Sequence, residues 1–115
     1  MQVAAILFAM AAAGGLLMLV MCLRGADRPP TWLALGHGAL AVAGLITLIL
    51  AAVNDGLPQL AQIALGVFVL AALGGSFLFF GYHLKNRPLP KPIIIGHGLI
   101  AATGLALLLT EVFRR

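Results

Sequence analysis

Four stretches of this chain carry no Asp, Glu, Lys or Arg: Gln2 to Leu23, Trp32 to Asn54, Leu57 to His83, and Ile93 to Thr110. Each is near or above the roughly 18–20 apolar residues that cross a hydrocarbon core of about 30 Å. None alternates apolar with polar residues, so strand barrels are excluded. The expected fold is all-α: a bundle of four transmembrane helices with short connections, one integral-membrane domain over residues 1–115. The first run lacks the basic start of a secretory signal and is long enough to span, so it is read as a helix of the fold.

With 63% hydrophobic and 9% charged residues, the chain has little to place outside a bilayer. No soluble catalytic domain is expected, and the net charge of +4 points to membrane orientation rather than to nucleic acid. Arg24, Arg28, Lys85, Arg87 and Lys91 fall in the connections after the first and third runs. Arg114 and Arg115, beside Asp55 and Glu111, fall at the other end. The positive-inside rule places loops 24–31 and 83–92 in the cytoplasm and both termini outside it, as in a bacterial inner membrane. Trp32 and Tyr82 stand where amphipathic rings favour the interface. The prolines of "RPP" and "RPLPKP" suit first helical turns, and "NDGLP" reads as a turn. Membrane lipid is the first expected partner.

The chain is a tandem duplication. Shifted by sixty residues without a gap, Gln2, Phe8, Gly14 and Gly15 meet Gln62, Phe68, Gly74 and Gly75. Pro30 meets Pro90, and Gly36-His37-Gly38 meets Gly96-His97-Gly98. Ala41, Gly44, Leu45 and Leu48 then meet Ala101, Gly104, Leu105 and Leu108. Repeat 1 covers residues 1–55 and repeat 2 residues 61–115. Each is a helical hairpin, and two crossings per repeat leave both hairpins in the same orientation. His37 and His97 therefore sit at one depth, about 9 Å from the basic loops at 1.5 Å per residue.

Small residues follow each histidine along its own helix face: Ala41 and Gly44 after His37, Ala101 and Gly104 after His97. The glycine doublets of the odd-numbered helices fall near the same level. Such glycines let helices approach, or leave room for a flat guest. A haem b held by two imidazoles fits this pattern, with His37 and His97 as iron ligands and Gly36, Gly38, Gly44, Gly96, Gly98 and Gly104 around it. Arg24 and Lys85 would pair with its propionates, with Arg28, Arg87 and Lys91 as further candidates. Covalent attachment is excluded, since no Cys-Xaa-Xaa-Cys-His occurs and Cys22 is alone.

In this arrangement the chain resembles membrane b-type cytochromes, in which histidines on the second and fourth helices of a four-helix bundle clamp haems. That family places two histidines on each helix and this chain one, so the resemblance implies a single haem. It also implies electron transfer, with a quinone, a docked protein or a neighbouring subunit as partner. The family's quinone-oxidising motifs have no counterpart here.

Other readings of the same residues stand beside this one. The histidines could be packing residues bonded to backbone carbonyls, or could hold a quinone, a metal ion or a chlorophyll-type pigment. The chain could instead be a haem-free accessory subunit that docks on a larger membrane complex through Ala5, Ala9 and Ala13. His83 reads as interfacial and solvated. Met18, Met21 and Cys22 share a face, as copper(I) ligands or ordinary packing. Glu111 reads as a surface partner for Arg114 and Arg115. No serine–histidine–acid, paired-carboxylate or phosphate-loop pattern is present, so no catalytic residue is expected.

Overall fold

The computed structural model describes all of residues 1–115. Helix α1 spans Gln2–Leu23, α2 Thr31–Asn54, α3 Gln59–Leu78 and α4 Lys91–Phe113, and α3 runs on into a π-helical turn, Phe79–His83. All four are long and apolar enough to cross a membrane. The bundle's longest extent, 42 Å, compares with about 40–45 Å for a bilayer with its headgroups.

Proline sets the starts. Pro30 and Pro90 hold extended backbone just ahead of α2 and α4, and their carbonyls each accept two hydrogen bonds from the first turn, all at 3.1 Å. α1 ends in a left-handed residue, Gly25 (φ 112°), and Ala26 N–H reaches back to Met21 O at 3.0 Å. The second repeat makes the same cap one residue later. Asn86 (φ 57°) is the left-handed residue, and Arg87 N–H donates to Tyr82 O. The π turn absorbs the difference, with Leu84 N–H bonded to Phe79 O. A gapless sequence repeat therefore hides a local change of helix pitch.

Each repeat folds as a tightly packed hairpin, α1 with α2 and α3 with α4. The hairpins close into a ring through α1 against α4 and, more loosely, α2 against α3. Phe8 and Phe68 stack across the axis with centroids 3.7 Å apart and planes 4° from parallel. A Cβ on Gly44 would come within 3.0 Å of the Phe8 ring, and one on Gly104 within 3.0 Å of Phe68. These two glycines, expected beside a cofactor, accommodate phenyl rings.

The interior is divided. One cluster, Phe8, Phe68, Leu48, Leu108, Leu57 and small alanines, fills the half nearer the termini. A separate one, Cys22, Leu78 and Ile94, lies near the basic loops. Ala5 belongs to the larger cluster, so it is not part of an outer docking face with the exposed Ala9 and Ala13. Large apolar side chains such as Leu16, Val42, Leu73 and Leu99 cover the outside, as lipid contact allows.

At the basic end the two loops are fastened together. Arg28 Nη1 donates to Asn86 Oδ1 at 2.6 Å and to the His83 carbonyl at 3.3 Å, and Leu89 N–H donates to Asp27 O at 3.0 Å. His83, expected to be solvated, is only 4% exposed. It stacks on Phe79, and its Nε2 lies 3.0 Å from Thr31 Oγ1. The π turn directs it inward, which a straight helical projection does not reveal. At the far end Glu111 pairs with Arg114 (3.4 Å) and Arg115 (3.2 Å) as expected, but its side chain is 2% exposed, so the carboxylate is buried and only the arginines are on the surface.

Candidate functional site: a paired-imidazole layer

The break between the two core clusters is where the histidines lie. His37 comes from α2 and His97 from α4, each six residues past the first residue of its helix. Those helices are diagonal neighbours, so both side chains cross the bundle axis and meet. Their ring centroids are 6.2 Å apart and their planes 82° from parallel. The expectation that duplication sets the two imidazoles at one level matches this placement; that they face each other, which the sequence left open, comes from the structure.

Each ring is seated on the odd-numbered helix of its own repeat. His37 Nδ1 lies 2.7 Å from the Ala11 carbonyl oxygen. A carbonyl only accepts, so Nδ1 carries the proton and the neutral ring keeps its lone pair on Nε2. His97 Nδ1 is directed at the matching carbonyl, Ala71, but does not close to hydrogen-bond geometry and is left buried without a partner. The seat exists because the glycine doublets have no side chains. A Cβ on Gly15 would stand 2.9 Å from His37 Cε1, and one on Gly75 would stand 3.1 Å from His97 Cε1. Glycines that the sequence left open to a guest are thus occupied by the imidazole rings themselves.

Neither Nε2 has a hydrogen-bond partner in the protein, and neither is sealed from the surroundings. Both histidines are half-buried, although they lie at the centre of a bundle. The residues against them on α1 and α3 are Ala11, Gly14 and Gly15 and their repeat partners, all small.

The remaining expected site residues divide into groups. Gly36, Gly38, Gly96 and Gly98 have open space where a Cβ would be, and they wedge against no protein neighbour. Arg24 and Lys85 are exposed at the basic end without ion-pair partners, and so is Lys91. Arg28 is held in the loop clasp, and Arg87 lies 4.9 Å over the Tyr82 ring. Met18 and Met21 are half-buried and Cys22 is buried against Leu78 and Ile94. No group of three or more His, Cys, Asp or Glu side chains is close enough to hold a metal ion. The Ala11 and Ala71 carbonyls had no sequence signal, since any residue supplies one.

Polar groups buried without partners are unfavourable, by about 1–3 kcal/mol each in proteins. His97 Nδ1 is such a group, whereas both Nε2 atoms are unpartnered but not buried. No family model, no curated protein and no solved structure matches this chain.

Proposed function

We propose that this protein is a small membrane b-type cytochrome, with His37 and His97 as the axial ligands of one haem b. The observation that carries the reading is the perpendicular imidazole pair, 6.2 Å between centroids, lying in an interrupted core. A metal-bound nitrogen is about 2 Å from its metal, and a ring centroid lies about 1.2 Å behind it, so two imidazoles on opposite sides of one metal have centroids about 6.4 Å apart. The spacing fits one shared ion. Two protein ligands are too few for a bare structural or catalytic zinc, which takes three or four. Two axial imidazoles are complete when a macrocycle supplies the equatorial nitrogens.

The surroundings support the same group. Packing alone accounts for His37 Nδ1 but leaves both Nε2 lone pairs unused. The Ala11 carbonyl fixes the tautomer and the ring, the outer-shell arrangement that raises the basicity of a ligating histidine. Arg24, Lys85 and Lys91, unpaired at the nearer end of the bundle, are suited to carboxylates such as propionates. Bound there, haem would supply a one-electron couple; the chain would hold it, exclude water and set its orientation. The protein has no catalytic constellation of its own. The basic loops face the cytoplasm in this reading, and protease access in oriented vesicles tests that.

Purified protein, reconstituted with haemin, should give a low-spin bis-imidazole spectrum that dithionite reduces to a b-type one. His37→Ala and His97→Ala should each abolish the low-spin form, and His83→Ala should keep it. A normal spectrum in both single variants, or no haem uptake by the folded protein, would overturn the proposal.

A further inference from the structure

The two ends of the bundle are unequal. At the basic end five cations, Arg24, Arg28, Lys85, Arg87 and Lys91, stand exposed with a single carboxylate, Asp27. At the other end Asp55 and Glu111 offset Arg114 and Arg115. The imidazole layer is also placed asymmetrically. It lies six residues from the start of α2, about 9 Å of helix, and seventeen from its end at Asn54, about 25 Å. Toward the termini the stacked Phe8–Phe68 pair, Leu48 and Leu108 fill the axis, the two leucines with no exposed surface. Toward the basic loops lie the smaller cluster of Cys22, Leu78 and Ile94, with Leu19 and Leu89 against it, and the buried His83.

Electron transfer weakens steeply with distance, so a redox partner of the imidazole layer gains most by docking at the nearer end. That end carries a field of one sign, and three of its cations have no ion pair or hydrogen bond inside the protein. Resting on the haem reading, we propose that electrons enter and leave only through the basic end, and that the partner is a soluble one-electron carrier with an acidic docking surface. Arg24, Lys85 and Lys91 steer it. Arg28 and Arg87 are committed to the clasp and to Tyr82 and hold the loops in shape. Long-range attraction of this kind raises encounter rates and fades with salt. The exchange is a single electron from ferrous haem to the oxidised carrier, or the reverse, with no bond made or broken.

The test uses haem-loaded protein in proteoliposomes, sorted by trypsin access to the basic loops. Pre-reduced haem is oxidised from outside by ferricyanide, an impermeant anion that is reduced to ferrocyanide, or by the hexaammineruthenium(III) cation. Vesicles presenting the basic end should be oxidised by ferricyanide at least tenfold faster than vesicles presenting the termini. At low salt ferricyanide should also outpace the cation, and the gap should close in concentrated salt. Charge reversal, Lys85→Glu with Lys91→Glu, should invert the preference in haem-loaded protein, and because both lysines are also candidates for the propionates, the haem spectrum of the variant is read alongside it. A second readout needs no turnover: chromium(III) trisoxalate, a redox-inert anion, should broaden the haem resonance only from the basic end. Equal oxidation from both ends overturns the inference. So does a charge preference that persists in the double variant, or one that appears only with anionic lipid present, which would assign the cations to headgroups. Failure of the protein to take up haem would remove the cytochrome proposal as well, and the absorption spectrum alone reveals that.

Discussion

Gly15→Ala probes the imidazole seat. The added Cβ would stand 2.9 Å from His37 Cε1 and 3.3 Å from Nδ1. Carbon atoms settle at about 3.5–4.0 Å, so the ring edge must retreat by roughly 0.6 Å or more. A side-chain end can ordinarily yield that much, but this one is held at 2.7 Å to the Ala11 carbonyl. Moving it breaks that hydrogen bond, worth about 1 kcal/mol net, and adds overpacking strain of about 1–3 kcal/mol. Alanine returns up to about 1 kcal/mol of helix propensity, so the net destabilisation is about 1–3 kcal/mol. Haem affinity should fall roughly 10- to 100-fold, the usual effect of losing an outer-shell partner. Gly75→Ala, whose Cβ would stand 3.1 Å from His97 Cε1 with no Nδ1 hydrogen bond to lose, should be milder. Gly36→Ala meets nothing within 4 Å and serves as the control. Haem titration and detergent unfolding of the three variants read both effects. An unchanged Gly15→Ala protein, or a Gly36→Ala protein damaged as badly, would refute the placement of the ring against α1.

The remaining expectations concern the supports of this layer. Phe8→Ala should destabilise the bundle by about 3–5 kcal/mol, and a double-mutant cycle with Phe68→Ala should return a coupling of about 0.5–1.5 kcal/mol beyond burial; additive effects would deny the stack. His83→Ala should leave the haem spectrum intact but lower stability by about 1–2 kcal/mol, since it removes a part-buried hydrogen bond and an aromatic contact; unchanged melting would argue against the clasp. Glu111→Gln should cost about 1 kcal/mol, discounted because both arginine partners are more than half exposed, and the loss should shrink in high salt.

The fold was legible because membrane helices announce themselves by what they lack. Four uncharged runs predict four helices, and the prolines ahead of Thr31, Gln59 and Lys91 set where three begin. The histidine pair was legible for a different reason. Duplication without a gap forces equal depth, and identical neighbours force equivalent facing. Contacts that depend on helix phase and pitch were out of reach. Gly44 and Gly104 share a stripe with the histidines, yet they face phenyl rings from α1 and α3 because about two turns of rise move them into the next layer. His83 looked interfacial because it ends an uncharged run. The π turn re-aims it, and pitch leaves no mark on the residue pattern. Glu111 looked like a surface charge for a similar reason, since sequence spacing finds its partners but not the packing over its carboxylate.

Duplication also explains why the symmetry fails where it does. Thr31, Arg28 and His83 have Lys91, Pro88 and Leu23 as repeat counterparts, so the same polar clasp cannot form twice. It fastens the looser seam, between α2 and α3, where helix packing is least intimate. The closer seam, between α4 and α1, does without it and leaves a cavity of about 110 Å³ lined by Cys22, Gly25, Asp27 and Lys91 among others. A layer built from two equivalent imidazoles needs the hairpins held at a fixed spacing, because any splay between them changes the 6.2 Å separation directly. The divergence of the second hairpin's end, with its π turn and buried His83, therefore preserves the one symmetry that matters, the spacing of His37 and His97. Loosening the whole clasp, Arg28→Ala with His83→Ala, should widen the imidazole pair before it unfolds either hairpin, whereas His83→Ala alone leaves the Leu89–Asp27 and Arg28–Asn86 bonds to hold the spacing.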